Sequence, residues 1–255
     1  MAEAEVELIQ FPYSLYNEKA RWALDLKRVP HRRRSLLPGP HAPTMLRLTG
    51  QTQVPALRID GELVVGSARI LEELDRRYPD PPLFPADPAL REQALAVQAR
   101  FDEEVGPCVR RALFDVMLGH PGYMAHMFSA HRSLAVRMLY RASFPLVAVV
   151  MRRSMDVHPD KVEEALGATR EGLDFIVEQA GPRGYLVGDA FSAADLAAAS
   201  ILAPLCDPPH PDMARPNPKP EPLARFFTEW AKHPGVEWVH DMYRRHRPPP
   251  AEVRD

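Results

Sequence analysis

The sequence predicts two structural units joined by a short linker: an α/β module on a four-stranded mixed sheet, then an all-α bundle. Over the first eighty residues or so, short alternating apolar runs and helical patterns follow one another in the order β-α-β, short helix, β-β-α. After the proline-rich stretch 80–85, long segments carry apolar residues at helical spacing. We therefore predict domains at residues 1–80 and 88–246, with a linker at 81–87.

The first unit opens with a strand, a helix and a second strand. Residues 5–9 alternate polar and apolar side chains, as a half-buried strand does. Ser14 is a natural N-cap for the helix that follows, which ends before Pro30. A strand over 31–35 completes a βαβ unit, whose strands should be parallel and whose crossover should be right-handed. A short irregular helix over 43–49 comes next.

A hairpin and a helix complete the first unit. Asp60-Gly61 stands between two alternating runs, and both residue types tolerate the positive φ that a tight hairpin turn requires. Pro55 at the head of the first hairpin strand is awkward unless the chain bends there. Gly66-Ser67 then opens a helix that continues to Tyr78.

The second unit is predicted to begin with three long helical stretches. The first covers 89–117 with a kink at Gly106-Pro107, and the second covers 124–154 with a break at Pro145. The third covers 161–180, with apolar side chains along one face.

A strong helix start follows in the second unit. Ser192 and Asp195 fit a short-armed capping box, and Phe191 is placed as a hydrophobic staple for a buried helix. Helices over 223–230 and 236–245 should close the bundle. We expect the tail, 247–255, to be disordered.

Composition is that of an ordinary soluble globular protein. Apolar residues make up 45% and charged residues 26% of the sequence, and the net charge is −2. This charge gives no electrostatic reason to expect a nucleic acid or a membrane surface as a partner. We expect a cytoplasmic protein, since the first residues are acidic and lack the apolar core of a signal peptide. The two cysteines fit free thiols, and no Cys/His cluster indicates a metal site.

Three loops of the first unit can converge at one edge of the sheet, and together they describe a cradle for a short peptide. The helix start at Ser14 offers a hydroxyl and free N–H groups to an anion such as a thiolate. A cis Val54-Pro55 bond would turn a backbone N–H and C=O outward to pair with an extended peptide. Ser67, at a second helix start, suits a carboxylate.

Each of these residues also has an ordinary structural explanation. Ser67 can be a plain N-cap, Pro55 a trans residue at a sheet edge, and Gln53 a solvated polar side chain. The combination of the three in this order favours the binding site.

Four motifs in order resemble the soluble glutathione transferase family across about residues 5–245. The motifs are Ser14-x-x-Asn17-Glu18-Lys19-Ala20-Arg21-Trp22-Ala23-Leu24, Val54-Pro55-Ala56-Leu57, Ser67-x-x-Ile70 and Gly188-Asp189-x-Phe191-Ser192-x-Ala194-Asp195. The resemblance implies a thioredoxin-like N-terminal domain, an all-helical C-terminal domain, glutathione as co-substrate without a metal, and a homodimer. It also implies conjugation of glutathione to a hydrophobic electrophile, a detoxification reaction.

The resemblance implies roles for individual residues. Ser14 would be the hydroxyl that stabilises the glutathione thiolate. The implied glutathione contacts are Gln53, Val54, Pro55, Ser67 for the γ-glutamyl carboxylate and, in the segment that often reaches the glycyl carboxylate, His41.

Tyr13 and Tyr16 flank Ser14 and are rival hydroxyls. The family's tyrosine-type enzymes place their tyrosine about where Gln10 falls, so Ser14 is preferred. A cysteine thiol has a pKa of about 8.5. If the site lowers this pKa by one or two units, the thiolate nucleophile becomes abundant at neutral pH. Each unit corresponds to about 1.4 kcal/mol, within reach of one hydroxyl hydrogen bond and a helix N-terminus.

The thiolate would attack an electrophilic carbon in an apolar pocket between the domains. Candidates for the pocket are Tyr16, Phe114, Met117, Leu118 and Tyr123; those after Tyr16 fit ordinary helical core at least as well. Gly66 departs from the family pattern, which usually has an acidic or amide residue before the serine. Segments 119–158 and 203–222 match no particular subfamily.

The sequence is also compatible with two other functions. A glutathione-dependent isomerase of maleyl-type acids would use the same fold and serine, and would want a cation such as Arg110 or Arg111 in the second pocket. A relative that has lost catalysis and serves as a binding or assembly module would be compatible with Gly66 and the two unassigned segments.

Overall fold

The N-terminal unit is the predicted four-stranded mixed sheet with helices. The computed structural model describes residues 5–253. The strands lie in the order β2-β1-β3-β4, with β1 parallel to β2 and the other two pairings antiparallel. Their bounds are β1 Val6–Gln10, β2 Arg32–Ser35, β3 Ala56–Ile59 and β4 Glu62–Val65.

Three helices accompany this sheet: α1 Leu15–Leu26, α2 Ala42–Thr49 and α3 Ser67–Arg77. The hairpin between β3 and β4 turns at Asp60 and Gly61, whose φ angles are +49° and +84°. The turn predicted from these two residues is therefore present, and it uses the positive φ that a primed hairpin turn needs.

The C-terminal unit is helical, as predicted. Its helices are α4 Pro88–Arg100, α5 Gly106–Leu118, α6 Pro121–Ser129, α7 Leu134–Ser154, α8 Pro159–Ala180, α9 Ala193–Cys206, α10 Glu221–Trp230 and α11 Pro234–His246. A π-helical turn, Phe101–Val105, joins α4 to α5 directly before Gly106-Pro107, where the sequence predicts a kink. A Cβ at Gly106 would lie 2.8 Å from the Tyr16 hydroxyl oxygen, so the close approach of α1 requires a glycine there.

The sequence prediction places the break in the second helical stretch at the wrong position. Instead of a single stretch over 124–154 interrupted at Pro145, α6 and α7 are separated by a turn at 130–133, and α7 continues through Pro145. Proline costs about 3 kcal/mol inside a helix. Here Tyr140, Phe144 and Met151 anchor the inner face of α7 in the core on both sides of the proline, and this burial offsets the cost.

The expectation of a disordered tail over 247–255 is wrong for residues 247–253, and residues 254–255 lie outside the described part of the chain. Arg247 pairs with carboxylates that lie far away in the sequence, and the Ala251 N–H donates to Asp25 Oδ1 at 2.7 Å. The Val253 N–H donates to the His31 carbonyl at 2.9 Å, which adds a bridge beside β2. These bonds give the backbone partners that the sequence pattern did not reveal.

The two units share one hydrophobic core, built around α1 and α9. Every residue of α9 is buried, and its first turn carries the predicted capping box between Ser192 and Asp195. Trp22 of α1 packs between Phe191 and Tyr243 and donates from Nε1 to the His246 carbonyl at 2.9 Å. Phe191 thus joins the two units through Trp22.

One helix in the described chain is long and apolar enough to cross a membrane by length and composition. This helix is α7, with a mean hydropathy of 1.5 over its most apolar window. Only 17% of that window is buried in the protein.

Candidate glutathione site

The sheet register brings the three predicted loops to one edge. Ile9 of β1 pairs with Ala56 of β3, and Ala56 pairs with Val65 of β4. The chain leaves β1 just after Ile9, enters β3 just before Ala56 and leaves β4 just after Val65. The loops at Ser14, at Val54-Pro55 and at Gly66-Ser67 therefore lie at the same end of the sheet, and the Gly66 N–H donates to the Pro55 carbonyl at 3.1 Å.

Ser14 occupies the N-cap position of α1, but its side chain forms no cap hydrogen bond. Its carbonyl accepts the Glu18 N–H at 2.8 Å, which starts the helix. The half-exposed hydroxyl is therefore left beside the unpaired N–H groups of the first turn. A hydroxyl and a helix N-terminus in this arrangement can both stabilise an anion.

The two rival tyrosines are in different situations. The Tyr16 hydroxyl donates to the Asp102 carbonyl at 2.7 Å, and burial raises the pKa of Tyr16 to about 12. This hydroxyl serves the contact between the two units. Tyr13 precedes Ser14 with a φ of +60°, and burial raises its pKa against the opposing effect of Arg215 and Arg21. A raised pKa keeps both phenols neutral at pH 7. Tyr13 could therefore donate a hydrogen bond to a thiolate, whereas the Tyr16 proton is already donated to Asp102.

The Val54-Pro55 bond is cis. Pro55 is buried, whereas Val54 is half-buried and Gln53 is exposed. Within residues 5–253, neither the N–H nor the C=O of Val54 takes part in a hydrogen bond. Both groups are available to an added strand of peptide, as a glutathione backbone would require.

Ser67 is the first residue of α3 and is buried, directly after Gly66. Gly66 has a φ of +93° and a ψ of 136°, a conformation that residues with a Cβ rarely adopt. The glycine that departs from the family pattern thus removes a side chain and frees the backbone from strain at the same point.

His41 is committed within the protein. Its Nδ1 accepts the Gly39 N–H and its Nε2 donates to the Thr52 carbonyl, each at 3.1 Å. Burial lowers the pKa of His41, so the ring is neutral at pH 7. In this state it has no free donor for a carboxylate, and it braces the segment that leads to Gln53.

The proposed second-substrate residues separate into two groups. Met117 and Leu118 are buried in the core, as the alternative explanation holds. Phe114 and Tyr123 are half-buried, and the Tyr123 hydroxyl donates to the Pro216 carbonyl at 2.9 Å. Tyr123 therefore ties α6 to the proline-rich loop.

Arg215, in that proline-rich loop, is a residue that the sequence analysis missed. It is buried and pairs with Asp207 at 2.7 Å, while its Nε has no hydrogen-bond partner among the described residues. Burial raises the pKa values of both Tyr13 and Tyr123, and the charge of Arg215 opposes that rise. The loop thus brings a cation to the side of Tyr13.

Arg110 and Arg111 also differ. Arg111 Nε donates to the Met155 carbonyl at 3.1 Å, so it is engaged with the end of α7. Arg110 Nε is buried without a hydrogen-bond partner in the described part of the chain, and the charge of Arg110 acts to lower the pKa of Tyr16. Of the two, Arg110 is the cation available near the interface of the units.

A buried ion network behind Ser14 was not predicted. Glu18, Arg21 and Asp25 of α1 are buried, together with Arg247 and the mostly buried Asp212. Glu18 Oε1 and Oε2 accept from Arg247 and Arg21, each at 2.8 Å. Glu18, His210 and Asp212 cluster tightly enough to suit a metal ion, but guanidinium groups already pair with both carboxylates. The sequence does contain one sign of this network: charged residues occur on several faces of α1, including faces that must be buried.

A cavity of about 580 Å³ lies elsewhere, between α5, α8, α10 and the start of α11. None of the predicted site residues lines it. The candidate site therefore lies at the sheet edge, away from this cavity.

Comparisons with known proteins agree with this architecture. The family model for the glutathione S-transferase N-terminal domain matches residues 8–82, and that for the C-terminal domain matches residues 159–237. A maleylacetoacetate isomerase of Pseudomonas aeruginosa is 33% identical over 92 residues, which are 35% of this chain and 43% of that protein. The match thus spans under half the length of that relative.

Two solved glutathione S-transferases share the fold. One, from Methylobacterium radiotolerans in complex with glutathione sulfonate, is 23% identical with a TM-score of 0.59 and 98% coverage of both chains. Another, from Methylobacillus flagellatus with glutathione bound, is 19% identical with a TM-score of 0.62, covering 96% of this chain and 100% of that one. The predicted fold class is confirmed, and this chain belongs to the glutathione S-transferase family.

Proposed function

We propose that the protein is a glutathione S-transferase of the serine type, which joins the glutathione thiolate to a hydrophobic electrophile. One observation carries this proposal: among residues 5–253, the Ser14 side chain forms no cap hydrogen bond at the α1 N-terminus, and it lies at the same sheet edge as the unpaired Val54 backbone. A hydroxyl and a helix N-terminus at this point favour the thiolate over the thiol.

The remaining glutathione contacts follow from the same edge. The Val54 N–H and C=O would pair with the peptide backbone of glutathione, beside Gln53 and Pro55. Ser67 and the N-terminus of α3 would hold the γ-glutamyl carboxylate. Because His41 is engaged on both ring nitrogens, its contribution would be to hold the Gln53 segment in place.

The electrophile would lie between Ser14 and the C-terminal unit, beside Tyr13, Tyr123 and Phe114. We also propose that the protein acts as a homodimer in the cytoplasm, with units bounded near residues 80 and 88. The family and the two free cysteines, Cys108 and Cys206, support this setting.

A second candidate is a glutathione-dependent isomerase of a maleyl-type acid. Two observations favour it: the buried Arg110 Nε has no hydrogen-bond partner among the described residues, and a relative from Pseudomonas aeruginosa is named for a reaction of this kind. A guanidinium would bind the carboxylate of such a substrate, while Ser14 would again serve the thiolate.

The test compares wild type, Ser14→Ala and Ser133→Ala. Ser133 is a matched control, because it is also an N-cap whose side chain forms no cap bond. Glutathione binding is measured by calorimetry and conjugation with a chloronitrobenzene. We expect all three proteins to bind glutathione and only Ser14→Ala to lose turnover, by about tenfold for each unit by which the thiol pKa rises.

Other outcomes separate the alternatives. Binding without turnover in the wild type favours a non-catalytic module, and absence of binding contradicts both enzymes. Turnover of a maleyl acid that depends on catalytic glutathione, and that is lost in Arg110→Met, would establish the isomerase instead.

A further inference from the structure

The outward face of α7 is an exposed apolar ridge. Leu134, Met138, Leu139 and Leu146 are 69%, 66%, 73% and 72% exposed. With Ala135, Ala142, Val149 and Val150 they recur at helical spacing along the side that points to solvent. We call these eight residues the α7 ridge. Isolated exposed leucines are common, but a continuous ridge of several turns indicates an interaction surface.

The ridge is held rigidly by the opposite face of the same helix. Tyr140 and Phe144 are buried, and the Tyr140 hydroxyl donates to the Pro38 carbonyl at 2.9 Å. Val147 packs against Gly39, in the loop before α2. Because the inner face of α7 is packed in this way, the side chains of the ridge on the opposite face stay directed to solvent.

The segment that carries the ridge has charges of one sign. Residues 116–155 contain no aspartate or glutamate, and their five basic residues are Arg132, Arg137, Arg141, Arg152 and Arg153. The whole chain has a net charge of −2, so the remainder carries −7. A basic surface on an acidic protein favours an anionic partner.

We propose that the α7 ridge docks on an anionic lipid surface, with the helix lying in the plane of the membrane interface. The apolar side chains would enter the boundary between headgroups and acyl chains, and the arginines would pair with lipid phosphates. The net charge of the whole chain gave no reason to expect a membrane partner. That value averages the basic segment 116–155 with the acidic remainder of the chain.

Two observations favour lipid over a protein partner. In an antiparallel pair of two copies centred on Ala142, Arg152 would face Arg132 in the turn before the other helix, and these like charges repel. The ridge also lacks tyrosine and tryptophan, two side chains that are enriched at protein interfaces. A convex aliphatic surface suits lipid, which needs no complementary groove.

The test is sedimentation of the full chain with vesicles of phosphatidylcholine alone or mixed with phosphatidylglycerol. We expect binding to the mixed vesicles that weakens with salt. The variant Leu139→Gln/Leu146→Gln should bind at least about tenfold more weakly, because each exposed leucine would otherwise be buried in the interface. The control Val177→Gln changes an exposed valine on α8 and should bind as the wild type does.

The charge is tested separately with Arg152→Gln/Arg153→Gln, against Arg183→Gln/Arg244→Gln as a matched pair of exposed arginines on other elements. We expect only the first pair to weaken binding to the anionic vesicles, by about tenfold or more. Equal binding of wild type and the leucine variant, or no binding to either vesicle, would overturn the proposal. Self-association that disappears in the leucine variant, without vesicle binding, would assign the ridge to a second copy. None of these outcomes depends on glutathione activity.

Discussion

Arg247 Nε donates to Glu18 Oε1 at 2.8 Å, although the two residues lie 229 positions apart, and both side chains are fully buried. Glu18 lies one turn after Ser14, so the end of the described chain is fastened to the helix that carries the candidate catalytic hydroxyl. Arg247 also pairs with Asp25 and Asp212, each at 2.7 Å. One guanidinium thus joins α1, the proline-rich loop and the tail.

Replacing Arg247 with methionine should destabilise the protein strongly. The substitution leaves three carboxylates with less compensation in a buried setting, and breaking such a pair typically costs about 3–5 kcal/mol. Urea unfolding measures the loss. Arg244→Met, which removes an exposed ion pair with Asp241, should cost less than about 1 kcal/mol. Similar losses in the two variants would contradict the importance assigned to the network.

The same network should make stability fall in acid. Burial alone would raise the pKa of Asp212, but Arg21, Arg33 and Arg247 outweigh it and lower the pKa to about 2. The unfolded chain takes up this proton near pH 3.9, so the contribution of Asp212 is complete above that pH. It is lost as the pH falls from about 4 to about 2.

Urea unfolding between pH 5 and pH 2 checks this behaviour. The fall in unfolding free energy should be smaller by about 2 kcal/mol in Asp212→Asn than in wild type, since the amide does not titrate. An equally steep fall in both proteins would show that other carboxylates cause the acid sensitivity.

Gly66→Ala should destabilise the protein by about 1–3 kcal/mol. The φ of +93° at this position strains any residue with a Cβ, although no atom lies near enough to clash with it. Gly167→Ala is the matched control, because Gly167 lies inside α8 with open space around it and should gain up to about 1 kcal/mol. Thermal unfolding of both variants gives the signs. An unchanged stability in Gly66→Ala would contradict the conclusion that the backbone before Ser67 requires glycine.

Tyr16→Phe should separate structure from catalysis. Loss of the hydrogen bond to the Asp102 carbonyl should lower stability by about 0.5–1.5 kcal/mol. The thiol pKa of bound glutathione should not change, because the hydroxyl is engaged away from the site. A raised thiol pKa in this variant would make Tyr16, rather than Ser14, the group that stabilises the thiolate.

Local patterns were sufficient to predict the sheet, the hairpin and most helices. Asp60-Gly61 and the Ser192–Asp195 box determine their turns through neighbouring atoms, so the sequence reveals them. The convergence of Ser14, Val54 and Ser67 was predictable for the same reason, because strand order places successive loops at one edge.

The pairing of Glu18 with Arg247 was not predictable from local pattern. A charged residue on a helix is solvated in most proteins, and only tertiary contact shows that its partner comes from the far end of the chain. The same limit applies to the ordered tail, and to α7, whose continuation through Pro145 depends on Tyr140 and Phe144 finding the core. Arg215 was missed because a loop residue has no periodicity to follow.

The pH at which bound glutathione ionises tests the central claim most directly. Ultraviolet absorbance of the thiolate can be titrated at saturating glutathione in wild type, in Ser14→Ala and in the Ser133→Ala control. We expect the wild type and the control to ionise the bound thiol one or two pH units below the ordinary cysteine value of about 8.5, and Ser14→Ala to raise that pKa by about one unit. The same thiol pKa in wild type and Ser14→Ala would contradict the assignment of Ser14 as the hydroxyl that stabilises the thiolate.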